Sequence, residues 1–386
     1  MIITDCPFCN SDNTVSVLKM NLPTFHSACS QEELSEATEA GILVAADFEI
    51  KACTNCGLGF NAQRLPNEIL DYIYSNYRYI KPQKKIGITK YESMVKFICK
   101  HAQKKQHIAE IGCSDGYLLD TLFSLGYRNI EGFEPSQEIS LCNNKSLVRN
   151  EFFTENSVFK TKVDVFYLMH VLEHFSSPIE IMGIMQRNLT LGGKIIFEVP
   201  NYGGFYHQHL LFLNSDFIYL LAERIGMTVL ETEETDSALR IVLLNENKQK
   251  ETQKKISPKQ ILERAQKRIS KYLEAIEKAN EFIKNNRQNK IYWWGTGSTS
   301  AIILANVPGN ILQTLDFTFI DSDETREGLV MPISSLKNNT IKNVNSEITK
   351  ISKEDSLIIA SSFSNEILKT LEEASITPKN ILKVNL

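Results

Sequence analysis

The stretch from His107 to Glu134 limits the fold more than any other part of the chain. His107-Ile-Ala-Glu-Ile111 reads as a short apolar strand, Gly112-Cys-Ser-Asp-Gly116 as a turn, and Tyr117-Leu-Leu-Asp-Thr-Leu-Phe123 as the start of a helix. Asn129-Ile-Glu-Gly-Phe133 is a second strand, and it ends in Glu134, 24 residues after Glu110. Strand, glycine turn, helix and strand in this order make a βαβ unit, which requires a parallel sheet. Gly112 and Gly116 permit close approach of backbone to a ligand. A carboxylate at Glu134 is placed to accept hydrogens from both hydroxyls of a ribose. Glu110 and Asp115 are further candidates for the same pocket.

The pattern continues downstream. Residues 163–168 form a strand, with His170-Val-Leu-Glu-His174 at its carboxyl end. A helix is expected over 178–189, a turn at Gly192-Gly193, and a strand over 194–199 that Pro200 stops. A helix over 215–225 and strands at 228–231 and 239–244 complete the sheet. Ligands of open α/β sheets sit beyond the carboxyl ends of the strands. Four of the seven histidines (His170, His174, His207 and His209) fall within about 40 residues at such ends. Loop histidines there meet ligands more often than they pack in a core; for His207 a structural ring is the other reading.

Upstream, Cys6-Pro-Phe-Cys9 and Cys53-Thr-Asn-Cys56 have the spacing that lets two thiolates reach one ion. Two such pairs point to a closed tetrahedral zinc site. Unfilled thiols and redox chemistry are the other readings, and His26 and Cys29 are substitute ligands. Residues 68–106 read as helical, with Tyr77, Tyr79 and Tyr91 either in the core or facing a cleft.

Downstream, residues 245–258 are a polar linker and 260–285 a long amphipathic helix. A second glycine turn, Gly295-Thr-Gly297, follows the apolar strand 290–294 and precedes a helix, with Asp321 ending the next strand. Three readings stand: a turn that binds nothing, a hold on a phosphate or ribose of the substrate, or a dinucleotide site. Ser300 occupies the place of a third glycine.

The 386 residues exceed one ordinary core. The expected division is 1–70, 71–247 and 248–386. With a net charge of -4 there is no global reason to bind nucleic acid or acidic lipid. No signal-peptide pattern or 18-residue apolar window is present, so a cytoplasmic location is expected.

Glu110-Ile-Gly-Cys-Ser-Asp-Gly116 resembles the cofactor turn of class I S-adenosylmethionine-dependent methyltransferases. Over nearly the whole chain, the arrangement is similar to the sugar C-methyltransferase family of deoxysugar biosynthesis. The specific segments are Phe197-Glu-Val-Pro-Asn201, Tyr206-His-Gln-His209 and Ser237-Ala-Leu-Arg240, together with the cysteine pairs and His170…Glu173-His174. The resemblance implies an α/β fold in three parts. A small N-terminal zinc domain holds its ion through Cys6, Cys9, Cys53 and Cys56. A class I Rossmann-like methyltransferase core follows, and then a second, C-terminal Rossmann-like α/β domain.

It further implies S-adenosyl-L-methionine as cofactor, held by Glu110, Gly112, Asp115, Gly116 and Glu134. The implied reaction is methyl transfer to the carbon beside the ketone of a nucleotide-linked keto-deoxysugar. A base removes the acidified proton and the enolate attacks the sulfonium methyl. His209 is the expected base, with Tyr206 and His174 as catalytic partners. His170, His207, Gln208, Asn201, Arg240, Gly295 and Gly297 are the expected substrate contacts. Neither a nucleic acid nor a membrane is an expected partner. Gln208 departs from the family's glutamate, and an amide orients a neighbour but takes no proton. The alternatives are O- or N-methylation of a related sugar, or a catalytically degenerate binding scaffold.

Overall fold

The computed structural model describes residues 1–24, 28–39, 41–42, 45–70, 85–235, 238–246, 257–333, 336, 339–361 and 363–384. His26, Tyr77, Tyr79, Ser237 and most of the expected linker lie outside these. The chain divides into two units, 1–16 with 50–204 and 208–265, and 17–49 with 205–207 and 266–386. Strands β1 (Thr14–Pro23) and β2 (Ala45–Cys53) run from one into the other.

In the first unit β2 pairs antiparallel with β3 (Gly59–Asn61). The main sheet begins with β4 (Ile108–Ile111), β5 (Ile130–Phe133), β6 (Val148–Arg149), β7 (Val163–Met169) and β8 (Leu189–Pro200). A short β9 (Leu211–Phe212) pairs with β3, and β10 (Thr228–Glu234) and β11 (Ala238–Leu244) complete the main sheet. Its order is β10-β11-β8-β7-β4-β5-β6. Pairs from β6 to β8 are parallel, whereas β11 is antiparallel to both β8 and β10. All four residues of β4 are buried, as a parallel strand covered on both faces requires.

Crossover helices are set by local signals. Pro178 opens the helix Pro178–Asn188 behind a Ser177 cap, and Asn214 caps Ser215–Arg224 by accepting from Phe217 N at 2.9 Å. Chain order reverses at β4: one crossover leads to β5, and the other neighbour is β7. The crevice between the carboxyl ends of β4 and β7 is therefore the ligand position of such a sheet.

Two expectations differ in detail. Gly192-Gly193 is not a turn between elements; β8 runs through it. The β7–β8 register jumps there from Val163↔Leu189 to Val165↔Lys194, and Gly192 takes φ +79°. The extra residues bulge out and are held by Asn245, which exchanges backbone hydrogen bonds with Gly192 and Gly193. Among the described residues, the cysteine segment shares its core with the main sheet. Cys6, Cys53, Cys56, Leu58 and Phe60 share one apolar cluster with Phe166, Phe197 and Phe217. A segment this short buries too little alone and uses the larger sheet.

The second unit holds β12 (Ile291–Trp294), β13 (Phe317–Asp321), β14 (Ile341–Asn343), β15 (Ser356–Ala360) and β16 (Asn380–Val384). All pairs are parallel, in the order β14-β13-β12-β15-β16, a second Rossmann-like sheet. Tyr292, Trp294, Ile320, Leu357 and Ile359 fill part of its core.

Two glycines give opposite stability predictions. A Cβ on Gly59 would lie 2.3 Å from Tyr202 Oη, so Gly59→Ala should lower unfolding stability by about 1–3 kcal/mol. Gly183, within a helix, would meet only the end of Arg187, so Gly183→Ala should raise it by about 0.5–1 kcal/mol. Urea denaturation of the two variants measures both.

Candidate active site at the carboxyl edge of the main sheet

The turn after β4 takes left-handed backbone at Gly112, Ser114 and Gly116. A Cβ on Gly112 would lie 2.5 Å from Val171 Cγ2, and one on Gly116 2.4 Å from Cys142 Sγ. Both positions thus need glycine for space as well as for conformation. Gly112 N and Cys113 N donate to Phe133 O, binding the turn to the end of β5. There Glu134 accepts from Ser114 N (2.7 Å) and Ser136 N (2.9 Å), one hydrogen bond on each carboxylate oxygen. Each oxygen keeps a further lone-pair direction for a ligand hydroxyl. Asp115 accepts from Tyr117 N and braces the helix start.

Glu110 is buried and accepts a 2.6 Å hydrogen bond from Tyr167 Oη. Burial pushes its carboxyl up to about 8, with the nearby Glu134 adding to the shift against the Tyr167 hydrogen bond.

Across the crevice, His170 follows β7 with φ +55°. Its backbone N donates to Glu198 O at 2.8 Å, and its Nε2 lies 3.0 Å from Glu198 Oε1. Glu198 is fully buried, and its other oxygen accepts from Arg240 Nε at 2.5 Å. Arg240 reaches on to Ser93 Oγ at 2.8 Å. Register explains the grouping, since Glu198 stands opposite Arg240 on β11 and Met169 on β7.

The one-turn segment Leu172–His174 carries Glu173 inward, to 1% exposure. Its Oε1 lies 3.4 Å from His170 Nδ1 and 3.8 Å from His209 Nε2, and neither oxygen has a hydrogen-bond partner. Leu210 N donates to Glu173 O at 2.8 Å, tying the His209 segment to this turn. The His174 and His209 rings meet edge to face with centroids 4.8 Å apart. Burial opposes ionisation of Glu173, but the His170 contact and the neighbouring imidazoles outweigh it and hold the carboxyl below its usual range. Burial, with the crowding of the rings, keeps His209 and His174 below the ordinary imidazole range.

The structure thus gathers His170, His174, His209 and Arg240 at one edge of the main sheet. Asn201 is buried and donates to Glu234 and Thr235 O, bracing the loop after β8. Gln208 is 5% exposed, and its Nε2 has no hydrogen-bond partner. Tyr206 and His207 belong to the second unit. His207 there is a buried ring beside Leu22 O (3.2 Å) and edge-on to Phe48, the setting of a structural histidine. In that unit Gly295 takes φ +98° beneath Ala360, and a Cβ on Gly297 would meet open space. Asp321 Oδ2 already accepts from Thr296 N (2.8 Å) and Thr296 Oγ1 (2.7 Å). Sequence reasoning passed over Glu198 and gave Glu173 no role of its own. The available signals were a carboxylate inside an apolar strand and one at i+3 from a histidine.

Cys6, Cys9, Cys53 and Cys56 converge in the first unit with all four sulfurs within 4.8 Å of one another. Cys6–Cys56 and Cys9–Cys53 are each 3.5 Å apart and the thiols are free. Tetrahedral thiolate ligation at about 2.3 Å sets sulfurs roughly 3.8 Å apart, so the donor set fits zinc. Cys29 lies in the other unit, its backbone paired with Val330.

Residues 85–232 match the family model described as a methyltransferase domain. With the strand order above, this segment has a Rossmann-like α/β methyltransferase fold. Among curated proteins, the chain is 25% identical over 185 residues to a tRNA U34 carboxymethyltransferase of Campylobacter curvus, covering 43% of this chain and 61% of that one. It is 29% identical over 111 residues to the protein of that name from Desulfotalea psychrophila, covering 26% and 34%. The chain thus spans about three fifths or less of these relatives' lengths. Among solved structures, magnesium protoporphyrin IX methyltransferase from Synechocystis aligns at 12% identity and TM-score 0.37, over 47% of this chain and 98% of that one. A putative S-adenosylmethionine-dependent methyltransferase from Listeria monocytogenes aligns at 12% and 0.35, over 42% and 100%. Among the described residues no helix is long and apolar enough to cross a membrane.

Glu110 supplies a pH prediction. Between about 4.5, its ordinary value, and about 8 the folded chain holds a proton that the unfolded chain releases. Stability therefore falls as pH rises through that window. Glu110→Gln removes the titration and keeps an acceptor for Tyr167. The variant should gain on the parent by on the order of 1–3 kcal/mol at pH 8 and lose that advantage by pH 5, read by denaturation at both values.

Proposed function

We propose that the chain is an S-adenosylmethionine-dependent C-methyltransferase acting on a keto-deoxysugar carried by a nucleotide. The observation that carries the reading is the buried Glu173 carboxylate ringed by His170, His174 and His209, beside the glycine turn after β4. Gly112, Gly116 and Glu134 hold the cofactor, with Glu134 accepting from the ribose hydroxyls. One imidazole of the ring removes the proton beside the ketone, and the electron pair moves onto the oxygen as an enolate. The enolate carbon attacks the sulfonium methyl, the sulfur–carbon bond breaks, and S-adenosylhomocysteine leaves. Glu173 offsets the positive charge that the ring gains on taking the proton. It supplies the carboxylate that Gln208, an amide, lacks.

A second reading follows from the names of the similar proteins, tRNA U34 carboxymethyltransferases. The net charge of -4 gives it no electrostatic support. Labelled methyl donor offered with keto-deoxysugar nucleotides or with tRNA separates the two. Methyl on carbon, preceded by solvent deuterium exchange beside the ketone, supports the sugar reading. Label on a heteroatom without exchange, or label only on tRNA, overturns it. Glu173→Gln should slow both exchange and methyl transfer by about 10²–10⁴-fold while S-adenosylmethionine still binds in calorimetry.

We also propose structural zinc at the four cysteines, which supplies a cross-link and no chemistry because all four ligand positions are filled. Cys9→Ser should reduce bound zinc below one per chain by elemental analysis and lower Tm.

A further inference from the structure

The geometry points to a second metal site in this chain, a divalent transition ion held by Glu173, His174 and His209. The three residues bring one carboxylate oxygen and two imidazole nitrogens within 4.8 Å of one another. Glu173 and His174 come from the turn after β7 and His209 from the segment before β9, and the Leu210 N to Glu173 O hydrogen bond clamps the two. The two rings meet edge to face, with an interplanar angle of 89°.

The second observation is Glu173 itself. A carboxylate at 1% exposure with no hydrogen-bond partner on either oxygen is an expensive arrangement unless a cation sits against it. His170 Nδ1 and His209 Nε2 lie 3.4 and 3.8 Å from Glu173 Oε1, outside hydrogen-bond geometry. Metal–ligand bonds of about 2.1 Å set ligand atoms roughly 3–4.2 Å apart, so closing the cluster on an ion requires a shift on the order of 1 Å. Two histidines and one carboxylate are a donor set for first-row divalent ions, and three protein ligands leave positions open. An open position polarises a bound ketone oxygen and stabilises the enolate as a Lewis acid would, with no change of oxidation state. His174 and His209 then serve as ligands, and His170, backed by Glu198, remains as the proton acceptor.

Metal binding needs no substrate, so it stands or falls apart from the methyl-transfer reading. The full chain is first loaded with a single equivalent of zinc, which the four thiolates take in preference to nitrogen and oxygen donors, then dialysed against Co²⁺ and assayed by elemental analysis and visible spectroscopy. The expected result is one added equivalent with d–d bands and no intense sulfur charge-transfer band. Glu173→Gln and His209→Asn should each weaken its uptake at least tenfold, while Cys9→Ser retains it. Circular dichroism and S-adenosylmethionine binding show that each variant is folded. Absence of a second equivalent in the folded parent, or its unchanged uptake by both folded variants, overturns the proposal.

Discussion

A single buried carboxylate, Glu198, organises the functional edge of the main sheet. It is fully enclosed, so its charge must be met inside the protein. Arg240 meets one oxygen and His170 the other. Arg240 sits on β11 and His170 directly after β7, the two strands that flank β8. The ion pair therefore joins three strands at one end, and Arg240 extends it to Ser93 on the helix Lys85–His101. The backbone of His170 is caught in the same place by its bond to Glu198 O, which holds it in a conformation that an L-residue adopts at a cost.

The next residue couples this edge to the glycine turn. Val171 occupies the space where a side chain at position 112 would lie. The glycine turn and the histidine turn are thus fitted to each other by van der Waals contact, and neither can change shape alone. Glu134 adds the third side, since its carboxylate gathers backbone N–H groups from both its own loop and the turn after β4.

The βαβ unit, the glycine turn, the acid at Glu134 and the two cysteine pairs were legible in the sequence because each is a local pattern of spacing and side-chain type. The Glu198–Arg240 pair was not, because it depends on the register of two strands 42 residues apart. Gly192-Gly193 looked like a chain reversal, and only pairing with β7 shows it to be a bulge. Strand β14 has three residues and β16, Asn-Ile-Leu-Lys-Val, exposes Ile381 and Lys383 at a sheet edge, so neither carries the apolar run that marks a buried parallel strand. Gln208 weakened the inherited site on paper. Glu173, distant from it in sequence, restores a carboxylate near His209.

In the second unit, the acid that ends β13 is already engaged by the chain's own Thr296, through both its amide and its hydroxyl. Arg326 holds the Thr296 carbonyl from the other side. A ribose arriving at Asp321 would meet an intramolecular rival tethered at a high effective concentration. Any ligand of that turn would therefore have to displace Thr296 before it could use Asp321 Oδ2.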